Sequence, residues 1–197
     1  MNHPDITVVI PSIPPRRKML QEAVRSVMNQ TLPAAALSIA VDVNREGAPA
    51  TRQRALDGAG TEWVAFLDDD DLFMNVHLEH LYAHAQETGA DFVYSWFHVP
   101  GGTDPFPQTH YTNPFNPDDP IETTITVLVR RELAQQAGFQ ALNRGHDTNT
   151  GEDRYFTLKC LDLGGKVSHL VEKTWWWRHH GGNTSGLTTK GDWLTQG

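Results

Sequence analysis

Apolar residues follow two alternating periodicities along the first hundred positions. Short runs rich in β-branched and aromatic residues predict buried strands over residues 6–10, 37–43, 63–67 and 91–97. Apolar residues three and four positions apart predict helices over residues 16–30, 51–56 and 78–85, the last ending near Gly89. This alternation predicts an α/β fold in which helices flank a mainly parallel, Rossmann-like sheet.

The pattern changes beyond position 100. Residues 100–120 are rich in Gly, Pro, Asn and Asp, which predicts an irregular excursion over one edge of the sheet. Farther along, we expect strands over residues 123–129 and 166–171 and helices over residues 132–137 and 151–163. Neither an internal repeat nor an interdomain linker is evident, so we expect one domain over residues 1–197.

Composition excludes several classes of protein. The formal net charge of −8 argues against binding to a nucleic-acid backbone, which depends on Lys and Arg. The single cysteine, Cys160, cannot form an internal disulfide, and its apolar helical setting favours a buried structural thiol over a nucleophile. No apolar run approaches the roughly 18 to 20 residues of a membrane span, so we expect a cytoplasmic location.

An uninterrupted acidic run, Asp68 to Asp71, directly follows the predicted strand 63–67. Four adjacent carboxylates repel one another, and a divalent cation would remove that cost. Ligands of open α/β sheets bind outside the carboxyl ends of strands, where Mg²⁺ or Mn²⁺ would find oxygen ligands. The alternative is a solvated acidic turn that precedes the next helix, where negative charge is favourable.

The sequence around this run, from Trp63 to Phe73, resembles the nucleotide-binding acidic motif of the inverting family-2 glycosyltransferases with the GT-A fold. Other segments are similar to that family in the same order along the chain: residues 8–12, 23–33, 50–56, 151–153 and 177–185. The resemblance implies a single GT-A domain. Its parts would be a nucleotide-sugar-binding half over residues 6–97, an acceptor-side half over residues 98–185 and a tail over residues 186–197.

On the metal side, the resemblance places Asp68 and Asp69 near the nucleotide and Asp70 on a Mn²⁺ or Mg²⁺ ion. His180 would complete the shell of the metal, since imidazole is an accepted ligand of Mn²⁺. His179 is the rival ligand, and a loop histidine that only bonds a neighbour is the alternative for His180. Asp71 stays open between a site residue and the N-cap of the next helix.

On the nucleotide side, the resemblance places Pro11, Ser12 and Asp42 against the nucleobase. The family commonly has Asp-Asp-Gly-Ser after the second strand, whereas this chain continues from Asp42 as Val-Asn-Arg-Glu-Gly, so the identity of the base stays open. Arg52 is expected at the diphosphate, with a surface salt bridge as the alternative.

For the acceptor side, the resemblance makes Asp153 the general base that takes the proton of the acceptor hydroxyl. Glu152 would point about 100° away on a helix and could not share that task equally. The alternative is that both are ordinary acids of a first helical turn, where they stabilise the helix.

Three consecutive tryptophans, Trp175 to Trp177, could stack against sugar rings, but a strand alternating between core and surface explains them better. The family's processive synthases carry a Gln-x-x-Arg-Trp motif in this vicinity, and its absence favours a single transfer over polymer extension.

These inferences together predict a metal-dependent, hexosyltransferase-like inverting glycosyltransferase. Its donor would be a nucleoside-diphosphate sugar, and its acceptor a hydroxyl of a glycan, lipid or protein. A non-catalytic sugar-nucleotide-binding module is the alternative. A nucleotidyltransferase is less favoured, because the Gly-rich phosphate loop and nearby Lys of that class are lacking.

Overall fold

The computed structural model describes residues 4–118, 120, 125–140 and 151–180. Its strands are β1 (Ile6–Ser12), β2 (Ala36–Val41), β3 (Trp63–Phe66), β4 (Leu72–Phe73), β5 (Phe92–His98), β6 (Val127–Arg130) and β7 (Val167–Trp176). Its helices are α1 (Arg17–Met28), α2 (Ala48–Asp57), α3 (His77–Thr88), α4 (Gln108–Thr112), α5 (Arg131–Ala137) and α6 (Glu152–Asp162). A short 3-10 helix, Pro14–Arg16, connects β1 to α1.

The strands form one sheet in the order β2-β1-β3-β6-β5-β7-β4. Strand β1 runs parallel to β2 and β3, and β5 runs parallel to β7. Strand β6 is antiparallel to both β3 and β5, and the edge strand β4 is antiparallel to β7. Because β1, β2, β3, β5 and β7 therefore point the same way, the predicted mainly parallel α/β sheet is confirmed.

Both faces of the sheet are covered by helices. On one face, Val8 and Ile10 pack in a core with Ala23 of α1 and Leu81 of α3. On the other face, Val9 packs in a second core that α2, α5 and α6 complete. Alternate residues of a strand point to opposite faces, which explains why all of β1 is buried. Cys160 lies in the second core, where burial raises the pKa of its thiol to about 12, as expected of a structural cysteine.

Several strands differ from their predicted bounds. Strand β1 continues through Pro11 to Ser12 instead of ending at Ile10, and β6 begins only at Val127. Strand β2 ends at Val41 because the side chain of the next residue, Asp42, accepts hydrogen bonds that turn the backbone. The sequence pattern predicts that β7 ends at Val171, but the strand continues to Trp176. The polar pair Glu172 and Lys173 interrupts the apolar pattern without ending the strand.

Three short elements were not predicted, and the first is the 3-10 helix Pro14–Arg16. Helix α4 lies within the excursion 100–120. Its Tyr111 and the preceding Phe106 pack against Trp96 of the core. Strand β4 has only two residues, too few to produce a periodic pattern. Residues 123 and 124 of the predicted strand 123–129, and the tail 186–197, lie outside the described residues. None of the helices in the described ranges has the length and apolar character that a membrane crossing requires.

Candidate functional site

The carboxyl ends of β1 and β3 lie side by side. They bring the first loop, which begins at Ile13 after β1 ends at Ser12, close to the acidic run. The parallel register pairs Val9 with Phe66, so Ser12 lies beside the acids that follow β3. Ser12 Oγ donates a hydrogen bond to Asp69 Oδ2 at 2.7 Å, and the backbone N–H of Ile13 approaches the same oxygen at 3.3 Å. Asp69 thus faces the first loop, and burial raises the pKa of its carboxyl group.

Asp42 closes this side of the site. Its backbone N–H donates to the carbonyl of Ser12 at 2.8 Å, which places the two predicted base contacts next to each other. Pro11, the third of them, pairs with Ala40 between β1 and β2. The carboxylate of Asp42 accepts backbone hydrogen bonds from Glu46 and Gly47, each at 2.8 Å, and these bonds lower its pKa.

Asp70 lies between a histidine and an arginine. Its Oδ2 is 3.0 Å from His180 Nε2 and 2.8 Å from Arg16 Nη1. His179, the rival ligand, instead packs edge-on against Trp177 with ring centroids 4.2 Å apart. The structure therefore brings His180, rather than His179, into contact with Asp70.

Arg178 fastens the end of β7 to the acidic run. Its backbone N–H donates to Asp71 Oδ1 at 2.9 Å, its Nε donates to the backbone carbonyl of Asp70, and its Nη1 pairs with Glu22. These contacts explain how a histidine 110 residues away in sequence reaches Asp70. The N-cap interpretation of Asp71 is wrong, because α3 begins at His77 and its N-cap is Val76.

Three of the four acids form a group suited to a cation. One carboxylate oxygen each of Asp68, Asp70 and Asp71 lies within 4.8 Å of the others. Asp71 is almost completely buried, and this burial, reinforced by Asp68 and Asp70, raises the pKa of its carboxyl group well above the usual range. A set of carboxylate oxygens with an adjacent imidazole fits Mn²⁺ or Mg²⁺, and a bound cation would offset the repulsion within the group.

Arg52 connects the acidic run to α6. Its Nη2 donates to Asp68 Oδ1 at 2.7 Å, while its Nη1 pairs with Glu152 and lies 3.6 Å from Asp153 Oδ1. The guanidinium also lies over the ring of Phe139, 5.4 Å from the centroid. Only 4% of the arginine side chain is exposed, while its partners keep 21% to 33% of theirs, so these ion pairs are partly buried and do not form a surface salt bridge.

The side chain of Asp153 is partly exposed, but one of its two carboxylate oxygens is buried. A third of its side chain is accessible, yet Oδ1 is buried and has no hydrogen-bond donor among the residues described. The pKa of Asp153 is raised to about 7, chiefly by burial. The positive charge of Arg52 lowers this pKa only in part, and the carboxylates of Asp68 and Glu152 raise it further. A carboxyl group that titrates near neutral pH has the property required of a general base.

The three tryptophans alternate between core and surface, as predicted. Trp175 and Trp177 are buried, and Trp176 between them is partly exposed. They therefore do not present one continuous stacking surface.

Two arginines of this site were not identified as site residues from the sequence. Arg16 contacts Asp69 and Asp70, although its position just past the carboxyl end of β1 was a usable signal. Arg178 belongs to the segment 177–185 that resembles the family, but the resemblance assigns it no role. Its contact with Glu22 spans 156 positions, which no local pattern reveals.

The helix-flanked sheet, with its acids at the carboxyl end of β3, defines this chain as an α/β domain of the GT-A type. Residues 36–147 match the family model described as glycosyl transferase family 2. The match covers more than half of the chain, and the chain belongs to this family. The family that the sequence motifs resembled is thereby confirmed. No curated protein matches it in sequence.

Solved structures of S. aureus TarS share the fold. TarS 1–349 superimposes with a TM-score of 0.71 at 18% identity, over 88% of this chain and 60% of that one. TarS 1–349 in complex with UDP-GlcNAc gives a TM-score of 0.73 at 18% identity, over 91% and 60%. A longer TarS structure gives 0.70 at 18% identity, over 89% and 37%. The chain thus spans about three fifths of TarS 1–349.

Proposed function

We propose that this chain is a metal-dependent inverting glycosyltransferase that moves a sugar from a nucleoside-diphosphate sugar to an acceptor hydroxyl. The observation that carries the proposal is the link through Arg52, which joins Asp68 of the acidic run to Asp153, a carboxyl group with a pKa of about 7. A donor-binding acid and a group able to accept a proton thus share one site. Family membership and the UDP-GlcNAc complex of a protein with the same fold support this assignment.

On the donor side, Pro11, Ser12 and Asp42 would contact the nucleobase at the adjacent ends of β1 and β2. Asp68 and Asp69 would face the ribose and the rest of the nucleotide. Arg52 would stabilise the diphosphate, since guanidinium groups bind phosphate oxygens in pairs of parallel hydrogen bonds.

Asp70 and His180 would hold Mn²⁺ or Mg²⁺. Their contact at 3.0 Å, together with the group of carboxylate oxygens around Asp70, supports this choice. A divalent cation held there would neutralise the negative charge that develops on the departing diphosphate.

Asp153 would act on the acceptor. Its ionised carboxylate takes the proton of the hydroxyl as the hydroxyl oxygen bonds to the anomeric carbon. The bond from that carbon to the diphosphate oxygen breaks at the same time, and its electron pair leaves with the nucleoside diphosphate. Attack opposite the leaving group inverts the anomeric configuration.

The two substrates would bind to successive parts of the chain. Residues 6–97 would form the donor half and residues 98–185 the acceptor half, within one domain that covers residues 1–197. The acceptor would be a hydroxyl of a glycan, a lipid or a protein.

The direct test measures nucleoside diphosphate release from a panel of UDP-, GDP- and dTDP-sugars with Mn²⁺. Each donor is assayed with and without EDTA, for the parent and for Asp153→Asn and Asp70→Ala. We expect release from at least one donor, abolished by EDTA and reduced by about 100-fold or more in Asp153→Asn, the usual range for a general base.

Asp162→Asn is the matched control, since Asp162 is an exposed acid on the same helix as Asp153. It should retain the parent activity. Mn²⁺-dependent nucleotide binding without release from any donor would instead identify a non-catalytic sugar-nucleotide-binding module.

A further inference from the structure

The guanidinium of Arg16 lies between two neighbouring acids of the proposed donor site. Its Nη1 is 3.0 Å from Asp69 Oδ1 and 2.8 Å from Asp70 Oδ2. The arginine side chain is 21% exposed, whereas those of Asp69 and Asp70 are 3% and 10% exposed. A positive charge therefore lies within a poorly hydrated part of the acidic run, where its attraction to the carboxylates is little screened.

The oxygen that Arg16 contacts is the one that also faces the histidine. Asp70 Oδ2 is 3.0 Å from His180 Nε2, and these two residues are the proposed ligands of the cation. A divalent cation bonded to Oδ2 would lie only a few ångströms from the guanidinium. Two positive charges this close repel strongly, so Arg16 and the cation compete for Asp70.

The position of Arg16 would also allow its side chain to reach a bound phosphate. Arg16 is the last residue of the 3-10 helix after β1, three residues after Ile13, which contacts Asp69 together with Ser12. A guanidinium binds phosphate oxygens through two parallel hydrogen bonds, so a diphosphate arriving beside this loop would offer it a stronger partner than one carboxylate.

We propose that Arg16 neutralises Asp70 in the ligand-free protein and moves to the donor diphosphate when cation and donor bind. This inference rests on the proposed function and adds a positioning residue to it. The consequence is a coupling in which the donor, by drawing Arg16 away, makes Asp70 available to the cation. Each ligand then binds more tightly in the presence of the other.

The coupling predicts effects of opposite sign for one substitution. In Arg16→Gln, Mn²⁺ alone should bind about fivefold more tightly or better, because the competing charge is gone. The same variant, at saturating Mn²⁺, should bind the nucleoside diphosphate about fivefold more weakly, because a phosphate contact is lost. Free Mn²⁺ is measured by electron paramagnetic resonance, and UDP, GDP and dTDP are titrated calorimetrically.

Two further variants sharpen the measurement. Arg17→Gln removes the same charge from the adjacent, exposed position and should change neither affinity. Arg16→Lys keeps a competing cation but lacks the planar fork, so its Mn²⁺ affinity should stay near that of the parent while nucleotide binding weakens.

The outcomes separate this inference from the proposed function. If Asp70→Asn leaves Mn²⁺ affinity unchanged, the proposed metal site itself is wrong. If Asp70→Asn weakens Mn²⁺ binding while Arg16→Gln leaves it unchanged or weakens it, only the role assigned to Arg16 is overturned. Thermal unfolding of each variant shows that the comparison is made on folded protein.

Discussion

At the scale of single residues, Asp153 shows how neighbours decide the chemistry of a common side chain. An aspartate in a first helical turn is ordinarily ionised throughout the neutral range. Here burial, Asp68 and Glu152 oppose ionisation more strongly than Arg52 favours it, and the pKa rises to about 7. The same group is therefore able both to accept a proton and to release it near neutral pH.

The raised pKa of Asp153 predicts the shape of the pH profile. A base must be ionised to act, so kcat/KM should increase with pH up to about 7 and level off above it. Below that midpoint the rate should fall by about tenfold for each pH unit. Donor turnover measured from pH 5 to 9 checks this, with Asp162→Asn as a control that retains the profile. A rate that stays constant between pH 5 and 7 would contradict the role of Asp153.

At the scale of elements, helix α3 illustrates a boundary that a single residue sets. The helix ends at Thr88, and Gly89 follows in the left-handed conformation with φ of 65°. The Gly89 N–H donates to the carbonyl of Ala85, which closes the last turn and directs the chain into β5. The sequence placed the end of the helix near Gly89 because glycine adopts this conformation without steric cost.

Substitution of Gly89 should therefore destabilise the fold through backbone conformation alone. A Cβ at this position would meet only Lys166 Nζ at 3.9 Å, an ordinary contact, so no clash adds to the effect. We expect Gly89→Ala to lower the free energy of unfolding by about 1 kcal/mol, as measured by urea denaturation. Gly60→Ala is the control, since that position is open and has no positive φ. Equal losses in the two variants would argue against the conformational explanation.

At the scale of the whole molecule, Arg52 connects distant parts of the chain. It lies on α2, and its partners Asp68 and Glu152 are 16 and 100 positions away in sequence. A buried guanidinium without carboxylates would be costly, and the carboxylates without it would repel one another. The pairing thus holds the acidic run and α6 in one site.

Loss of this charge should destabilise the protein well beyond the effect of a surface substitution. We expect Arg52→Leu to lower the free energy of unfolding by about 2 kcal/mol, less than for a fully buried pair because its partners keep 21% to 33% of their side chains exposed. Arg54→Leu removes an exposed arginine from the same helix and should cost no more than about 0.5 kcal/mol. Urea denaturation of both variants decides, and a loss of similar size in each would exclude the connecting role of Arg52.

Much of the architecture follows from local patterns. Periodicity correctly predicted where six of the elements occur: strands β1, β3 and β5 and helices α1, α3 and α6. The reason is that the residues of a strand or helix that face the core recur at a fixed spacing along the chain. The apolar pattern of residues 63–67 also predicted that the acidic run follows a buried strand. The roles expected for the individual site residues came from the similarity of the sequence to family 2.

Only the tertiary structure decided how distant segments meet. The reversed direction of β6, the contact of Asp70 with His180 instead of His179, and the insertion of Arg16 between Asp69 and Asp70 all depend on packing between remote segments. The pKa of Asp153 likewise depends on its burial and on Asp68, which lies in the loop after β3. Sequence by itself determined most of the longer elements and the chemical groups at their ends, because these follow from neighbouring residues. Tertiary structure decided which groups face each other, because burial and electrostatic interaction depend on distance in space and not along the chain.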